Sequence, residues 1–134
     1  HGLIKIKTSD DIAVRLLNIY EALILILSKH MPDEASIEKT FVNKNPNSSL
    51  KLGHARGVIL LALAKKKLTC FEYAPNQIKK SIVGQGDADK EHIATMVTML
   101  LSKKIEGTSD VSDALAIAIT HAYQKHNKIA EFLS

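Results

Sequence analysis

The chain is 134 residues long, with 18 Lys and Arg against 14 Asp and Glu, a net charge of +4 and a single Cys. Hydrophobic residues make up 46% and charged ones 24%, the proportions of one ordinary globular domain, which excludes a disordered or fibrous chain. Apolar runs such as residues 22–27 and 58–64 are far too short to cross a bilayer, no signal peptide is visible, and the lone Cys70 cannot form a disulfide within the chain; a reducing, cytoplasmic location is expected.

Leu3-Ile4-Lys5-Ile6-Lys7 alternates apolar and basic side chains, the two-residue period of a strand. Thr8-Ser9-Asp10-Asp11 then offers a cap, Ser9 or Asp10, to a helix expected over about residues 11–29, where Ile12, Leu16, Ile19, Leu23 and Ile26 recur at three- and four-residue spacing. Met31-Pro32-Asp33 breaks it, and residues 35–38 read as a short strand. Residues 40–49 are polar, rich in Asn and contain Pro46; a loop of that length in a compact domain is expected to be functional or mobile. A helix restarts near Ser48 or Ser49 and reaches about Lys65. It carries Gly53 and Gly57 four apart on one face, a place for another backbone to come close. Residues 68–73 form a strand, and Pro75 opens a helix ending before Gly84-Gln85-Gly86. Asp87 or Asp89 starts a helix to about Ser102, and the last helix begins near Asp110 and passes His121. Strand, helix, strand, helix, strand and three helices make an α/β pattern.

Three carboxylates are candidates for chemistry. Glu38 closes a strand, the end at which α/β folds carry their sites. Asp110 and Asp113 lie three apart at the start of a helix, so both are expected to project from the same face. Converging carboxylates suit Mg²⁺, and two such ions about 4 Å apart activate a water and stabilise the leaving oxygen in phosphodiester hydrolysis. Each also has a purely structural reading: Asp110 as a helix cap, Asp113 as a first-turn carboxylate on the helix dipole, Glu38 as a solvated strand end. Lys65-Lys66-Lys67 closes a helix, where cations are favoured. Lys79, Lys80 and Lys90 flank the Gly84-Gln85-Gly86 turn, which would admit a phosphate closely. Phe41, three residues after Glu38, is either a lid on the core or a platform on which a base stacks. His54, His121 and His126 have no metal-ligand spacing, and Cys70 reads as a small buried hydrophobe. The pI near 9.2 is compatible with a polyanionic partner.

Taken together, long segments resemble the RuvC family of Holliday junction resolvases. Ser36-Ile37-Glu38-Lys39-Thr40-Phe41, Asn45 and Ser49-Leu50-Lys51-Leu52-Gly53-His54-Ala55-Arg56-Gly57-Val58 are similar to its second acidic motif and the helix that follows. Phe71-Glu72-Tyr73-Ala74-Pro75, Lys79-Lys80-Ser81-Ile82-Val83-Gly84-Gln85-Gly86 and Asp89-Lys90 resemble its central basic segment. Residues 109–121, with Ser109-Asp110-Val111-Ser112-Asp113-Ala114-Leu115, resemble its C-terminal acidic helix.

The resemblance implies an RNase H-like α/β fold, a mixed central sheet flanked by helices. It further implies a homodimer, Mg²⁺-dependent paired nicking of four-way junction DNA, and work beside the junction-migrating helicase complex of RuvA and RuvB. By position, it makes Glu38, Asp110 and Asp113 catalytic metal ligands, with two Mg²⁺ ions per site. It makes Phe41 the aromatic that stacks at the opened junction and Lys79 and Lys90 DNA contacts, and it puts the helix of Gly53 and Gly57 at the dimer interface. One departure stands out. The family's first catalytic carboxylate sits on a first strand in a Gly-Ile-Asp-Pro-Gly type motif, which nothing here matches, and residues 1–3 align with the family's third strand. The expectation is a single RNase H-like nuclease domain over residues 1–134, N-terminally incomplete. Two competing functions follow: a module that binds junctions without cleaving them, and a plain α/β dimerisation domain.

Overall fold

The computed structural model describes residues 1–39, 46–84, 86 and 88–133, the last six as backbone only. The elements in chain order are α1 (Ile12–His30), β1 (Glu34–Glu38), α2 (Pro46–Lys65), β2 (Thr69–Tyr73), α3 (Pro75–Val83), α4 (Lys90–Leu101) and α5 (Ser109–Leu133). β1 and β2 are neighbours in a two-stranded parallel sheet. Parallel strands need a long crossover, and α2 supplies it. The ladder continues one residue beyond β1, where the Lys39 amide donates to the Tyr73 carbonyl at 2.8 Å.

Residues 3–7 do not form the expected strand. The alternation is present in their burial, with Ile4 and Ile6 half-buried and Leu3, Lys5 and Lys7 exposed, but they join no ladder among the described residues. Period-2 burial marks a face; a strand also needs a hydrogen-bonded neighbour. Two further expectations shift by a few residues. Asp11 caps α1, rather than Ser9 or Asp10, its carboxylate accepting from the Ile12 amide at 2.7 Å. α2 starts at Pro46 rather than at Ser48 or Ser49, because the first helical turn tolerates a residue without an N–H.

The chain divides into two compact units. One comprises residues 4–35 and 40–71 and is built on α1 packed against α2. Its buried core includes Leu27, Ala62 and Leu63, and Lys66 Nζ donates to Ser28 Oγ at 2.7 Å where the two helices end. The other comprises His1–Leu3, Ser36–Lys39 and Glu72–Ser134, in which α3, α4 and α5 pack on one another. Ile78, Ile82, Ile93, Val97, Val111 and Ala116 are buried there. Each large apolar side chain removed from water contributes about 1.5–3 kcal/mol. Thr120 is fully buried because its hydroxyl donates to the Ala116 carbonyl at 2.8 Å. Buried Tyr73, at the end of β2, shares a 2.7 Å hydrogen bond between its Oη and His121 Nδ1, which ties the strand end to α5. Cys70 is half-buried, since its place in β2 leaves one flank open.

Candidate active site

Glu38 is the last residue of β1, so its side chain stands where the strand leaves the sheet. α3, α4 and α5 each turn one face toward the same place. On α5, Asp113, Ala116 and Ile117 follow at three- and four-residue spacing. On α4, Lys90 and Ile93 are three apart, and on α3, Ile78 is followed by Lys79. Together with Pro75 these residues and Glu38 line a cavity of about 210 Å³. Its walls are apolar, and its polar groups are two carboxylates and two ammonium groups.

The charges are arranged unevenly. Lys90 Nζ lies 3.3 Å from Asp113 Oδ2, with the two side chains 72% and 39% exposed. An ion pair that open to water adds little to stability. Glu38 is exposed at the end of β1, and partial desolvation of its carboxyl comes first in raising its pKa above the ordinary 4.5, followed by the negative charge of Asp113, with Lys90 pulling in the opposite direction. The folded protein therefore holds this proton more tightly than the unfolded chain does. Stability contributed by the protonated form is present below about 4.5 and is lost as pH rises through the raised value. Glu38→Gln should accordingly raise the melting temperature of metal-free protein at neutral pH and leave it unchanged below the carboxylate range. Thermal melts across that interval check this; a pH-independent difference would assign the effect to something other than the charge.

Asp110 stands apart. α5 begins at Ser109, so Asp110 is a first-turn residue rather than the cap that its spacing had suggested. It is exposed, it does not line the cavity, and Thr108 Oγ1 lies 3.5 Å from its Oδ2. Asp110 and Asp113 share a face of α5, but Asp110 lies one turn nearer the helix start, about 4.5 Å along the axis and beyond the cavity. Among the described residues, no group of three or more His, Cys, Asp and Glu side chains is arranged to hold a metal ion.

Lys79 and Lys90 both line the cavity. Lys80 does not; it lines a separate cleft with Ala74, Gln77 and Tyr123, because consecutive helical residues diverge by about 100°. Gly84 of the expected phosphate turn is the left-handed cap of α3, at φ 81°. Phe41 lies outside the described residues, as do Gln85 and Asp87. The apolar walls and the Lys90–Asp113 pair are additions to the residues picked from sequence. The walls were marked by three- and four-residue spacing on each helix, whereas nothing in the sequence pairs positions 90 and 113.

A strand–helix–strand unit followed by packed helices, with one carboxylate at a strand end and another on the last helix, is an RNase H-like α/β architecture. The sequence model of the family described as crossover junction endodeoxyribonuclease RuvC matches residues 1–121. The chain belongs to the RuvC family. It is 50% identical over 124 residues to a crossover junction endodeoxyribonuclease RuvC of Bradyrhizobium diazoefficiens, covering 91% of this chain and 71% of that protein. It is 45% identical over 127 residues to the Ehrlichia canis protein of the same description, covering 95% of this chain and 81% of the relative. Among solved structures it is similar to Thermus thermophilus RuvC in complex with a Holliday junction substrate. That match has a TM-score of 0.87 and 31% identity, and covers 93% of this chain and 77% of the other. No helix among the described residues is long and apolar enough to cross a membrane.

Proposed function

We propose that this chain is a structure-selective DNA endonuclease that resolves four-way junctions by paired, symmetric nicks during recombination and repair. One observation carries the reading: in a chain of this family, Glu38 and Asp113 meet Lys79 and Lys90 around a single cavity. Carboxylates suit the metal and the attacking water of phosphodiester hydrolysis, while lysines suit the phosphates of the strand being cut.

The donor set fits a hard cation. Glu38 and Asp113 present oxygen ligands only, and a bound cation would offset both influences that raise the pKa of Glu38, desolvation first and the charge of Asp113 second. Glu38 and Asp113 would hold Mg²⁺; Asp110, the third ligand that the family resemblance implies for a two-ion site, lies outside the cavity in this structure. Bound there, the metal would supply a water of lowered pKa and a counter-charge for the leaving oxygen. The chain's own residues do the rest. Lys79 and Lys90 draw in a phosphate, and Phe41 stacks on a base at the opened junction.

Homodimer formation belongs to the same reading. Leu50, Gly53, Gly57 and Leu61 follow one stripe of α2, with Leu50 60% and Leu61 61% exposed. A Cβ added at Gly53 or Gly57 meets nothing within 4 Å, so the stripe is open for a second copy. Two copies place two sites on a symmetric junction, and a junction-migrating helicase complex of the RuvA and RuvB kind delivers it. Cytoplasmic location accords with a DNA substrate.

A second reading, junction binding without cleavage, is favoured by a different observation: only two of the three carboxylates face the cavity, and Lys90 already neutralises one. One assay separates the two. A four-way junction with each arm labelled in turn is incubated with the protein and Mg²⁺ beside a linear duplex of the same sequence. Symmetric nicks in the junction alone are expected; binding that prefers the junction without nicks supports the second reading and removes the first.

A further inference from the structure

Tyr73 and His121 are titratable groups that the proposed chemistry does not use, yet each is tied to a residue that it does. Tyr73 ends β2, and its carbonyl accepts, at 2.8 Å, the amide of Lys39, the residue after Glu38. His121 lies on α5 eight residues after Asp113, about 12 Å further along the axis. Tyr73 is only 7% exposed, and its Oη shares a 2.7 Å hydrogen bond with His121 Nδ1. The two rings are tilted by 52°, with centroids 5.9 Å apart. A continuous path therefore runs from the backbone beside Glu38, through the Tyr73 ring, to the helix that carries Asp113.

The path matters because the rest of the support for α5 is less directional. α5 packs on α3 and α4, with Val111 and Ala116 buried. Apolar burial is non-directional and fixes the position of a helix less sharply than a hydrogen bond, which weakens steeply away from its preferred length and angle. A Phe at position 73 would fill the same space as the Tyr ring; the hydroxyl adds a direction. Direction is what a metal site on two elements needs. Glu38 comes from a strand and Asp113 from a helix, and Mg²⁺ accepts oxygen ligands only near octahedral positions at about 2.0–2.1 Å. Resting on the nuclease reading above, we propose that Tyr73 and His121 are positioning residues: their hydrogen bond holds α5 to the end of the sheet and so keeps Glu38 and Asp113 at the separation that one cation requires. Neither side chain lines the cavity, so both act through the carboxylates rather than on the DNA.

The test uses the full protein and measures Mg²⁺ binding by calorimetric titration without DNA, junction affinity without divalent metal, and the thermal melt. Tyr73→Phe keeps the ring and removes the bond. It is expected to weaken Mg²⁺ binding about tenfold and to shift the Mg²⁺ dependence of nicking by the same factor, with junction affinity within about twofold of the parent. His121→Asn, whose amide oxygen stands near the place of Nδ1, should keep Mg²⁺ affinity within about threefold of the parent. A double variant, Tyr73→Phe with His121→Leu, removes both partners of the bond and separates positioning from plain stability: its melting temperature should recover toward the parent's while its Mg²⁺ affinity stays low. Mg²⁺ affinity that recovers together with the melting temperature, or that is parent-like in Tyr73→Phe, overturns the inference, while a parent protein that nicks junctions leaves the nuclease reading standing. A parent protein that binds junctions but neither takes up Mg²⁺ nor nicks them removes that reading and the inference with it.

Discussion

Asp113→Asn is expected to reduce junction nicking by about a thousandfold while leaving junction binding intact or tighter. The substitution preserves shape and removes one charge. If Asp113 helps hold the catalytic cation, its loss withdraws several kcal/mol of transition-state stabilisation, and each 1.36 kcal/mol is a factor of about ten in rate. Binding moves the other way because Glu38 and Asp113 both repel the phosphate that Lys79 and Lys90 attract, and because Lys90, now 3.3 Å from Asp113 Oδ2, is released toward the strand. Folding should barely change, since the Asp113 side chain is 39% exposed and its ion pair open to water. Single-turnover nicking, gel-shift affinity and a thermal melt on the same preparation check the three parts. Nicking at the parent rate would remove Asp113 from the chemistry; a collapse in melting temperature would make its role structural.

The residues that were easiest to place from sequence are those whose signals are local. Asp89 at the start of α4 accepts from the His92 amide at 2.8 Å, the geometry that an Asp three residues ahead of that amide announces. Gly84 ends α3 in the left-handed region, and Pro75 opens it, each at the position its backbone chemistry favours. Glu38 at a strand end and Asp113 on the last helix were legible for the same reason, and the structure brings them to one cavity.

What escaped is relational. Residues 3–7 have the alternation of a strand, but a strand is defined by a neighbour that no local pattern names. Asp110 and Asp113 share a helix face, yet only one of them lines the cavity, because Asp110 lies about 4.5 Å further toward the start of α5.

Lys90→Ala is expected to separate the two tasks of one ammonium group. In the metal-free protein Lys90 sits against Asp113 and draws the pKa of Glu38 downward, so it serves as a stand-in cation for the carboxylates. Removing it leaves those carboxylates less compensated. The pKa of Glu38 should rise further, and the site's affinity for Mg²⁺ should increase, because a metal no longer has to displace a lysine. DNA binding should change in the opposite direction. A lysine that neutralises one phosphate releases about one counter-ion, so its loss lowers the slope of log affinity against log salt by about 1. At low salt the variant should bind junctions about tenfold more weakly, and the gap should narrow as salt rises. Lys79, half-buried on the same cavity and without a carboxylate partner among the described residues, supplies the contrast. Lys79→Ala should reproduce the loss of salt slope and leave Mg²⁺ affinity unchanged. Calorimetric titration with Mg²⁺ and junction binding over a salt series test both variants. Equal Mg²⁺ affinity in parent and Lys90→Ala would mean that the 3.3 Å pair does not compete with metal, and an unchanged salt slope would mean that Lys90 meets no phosphate.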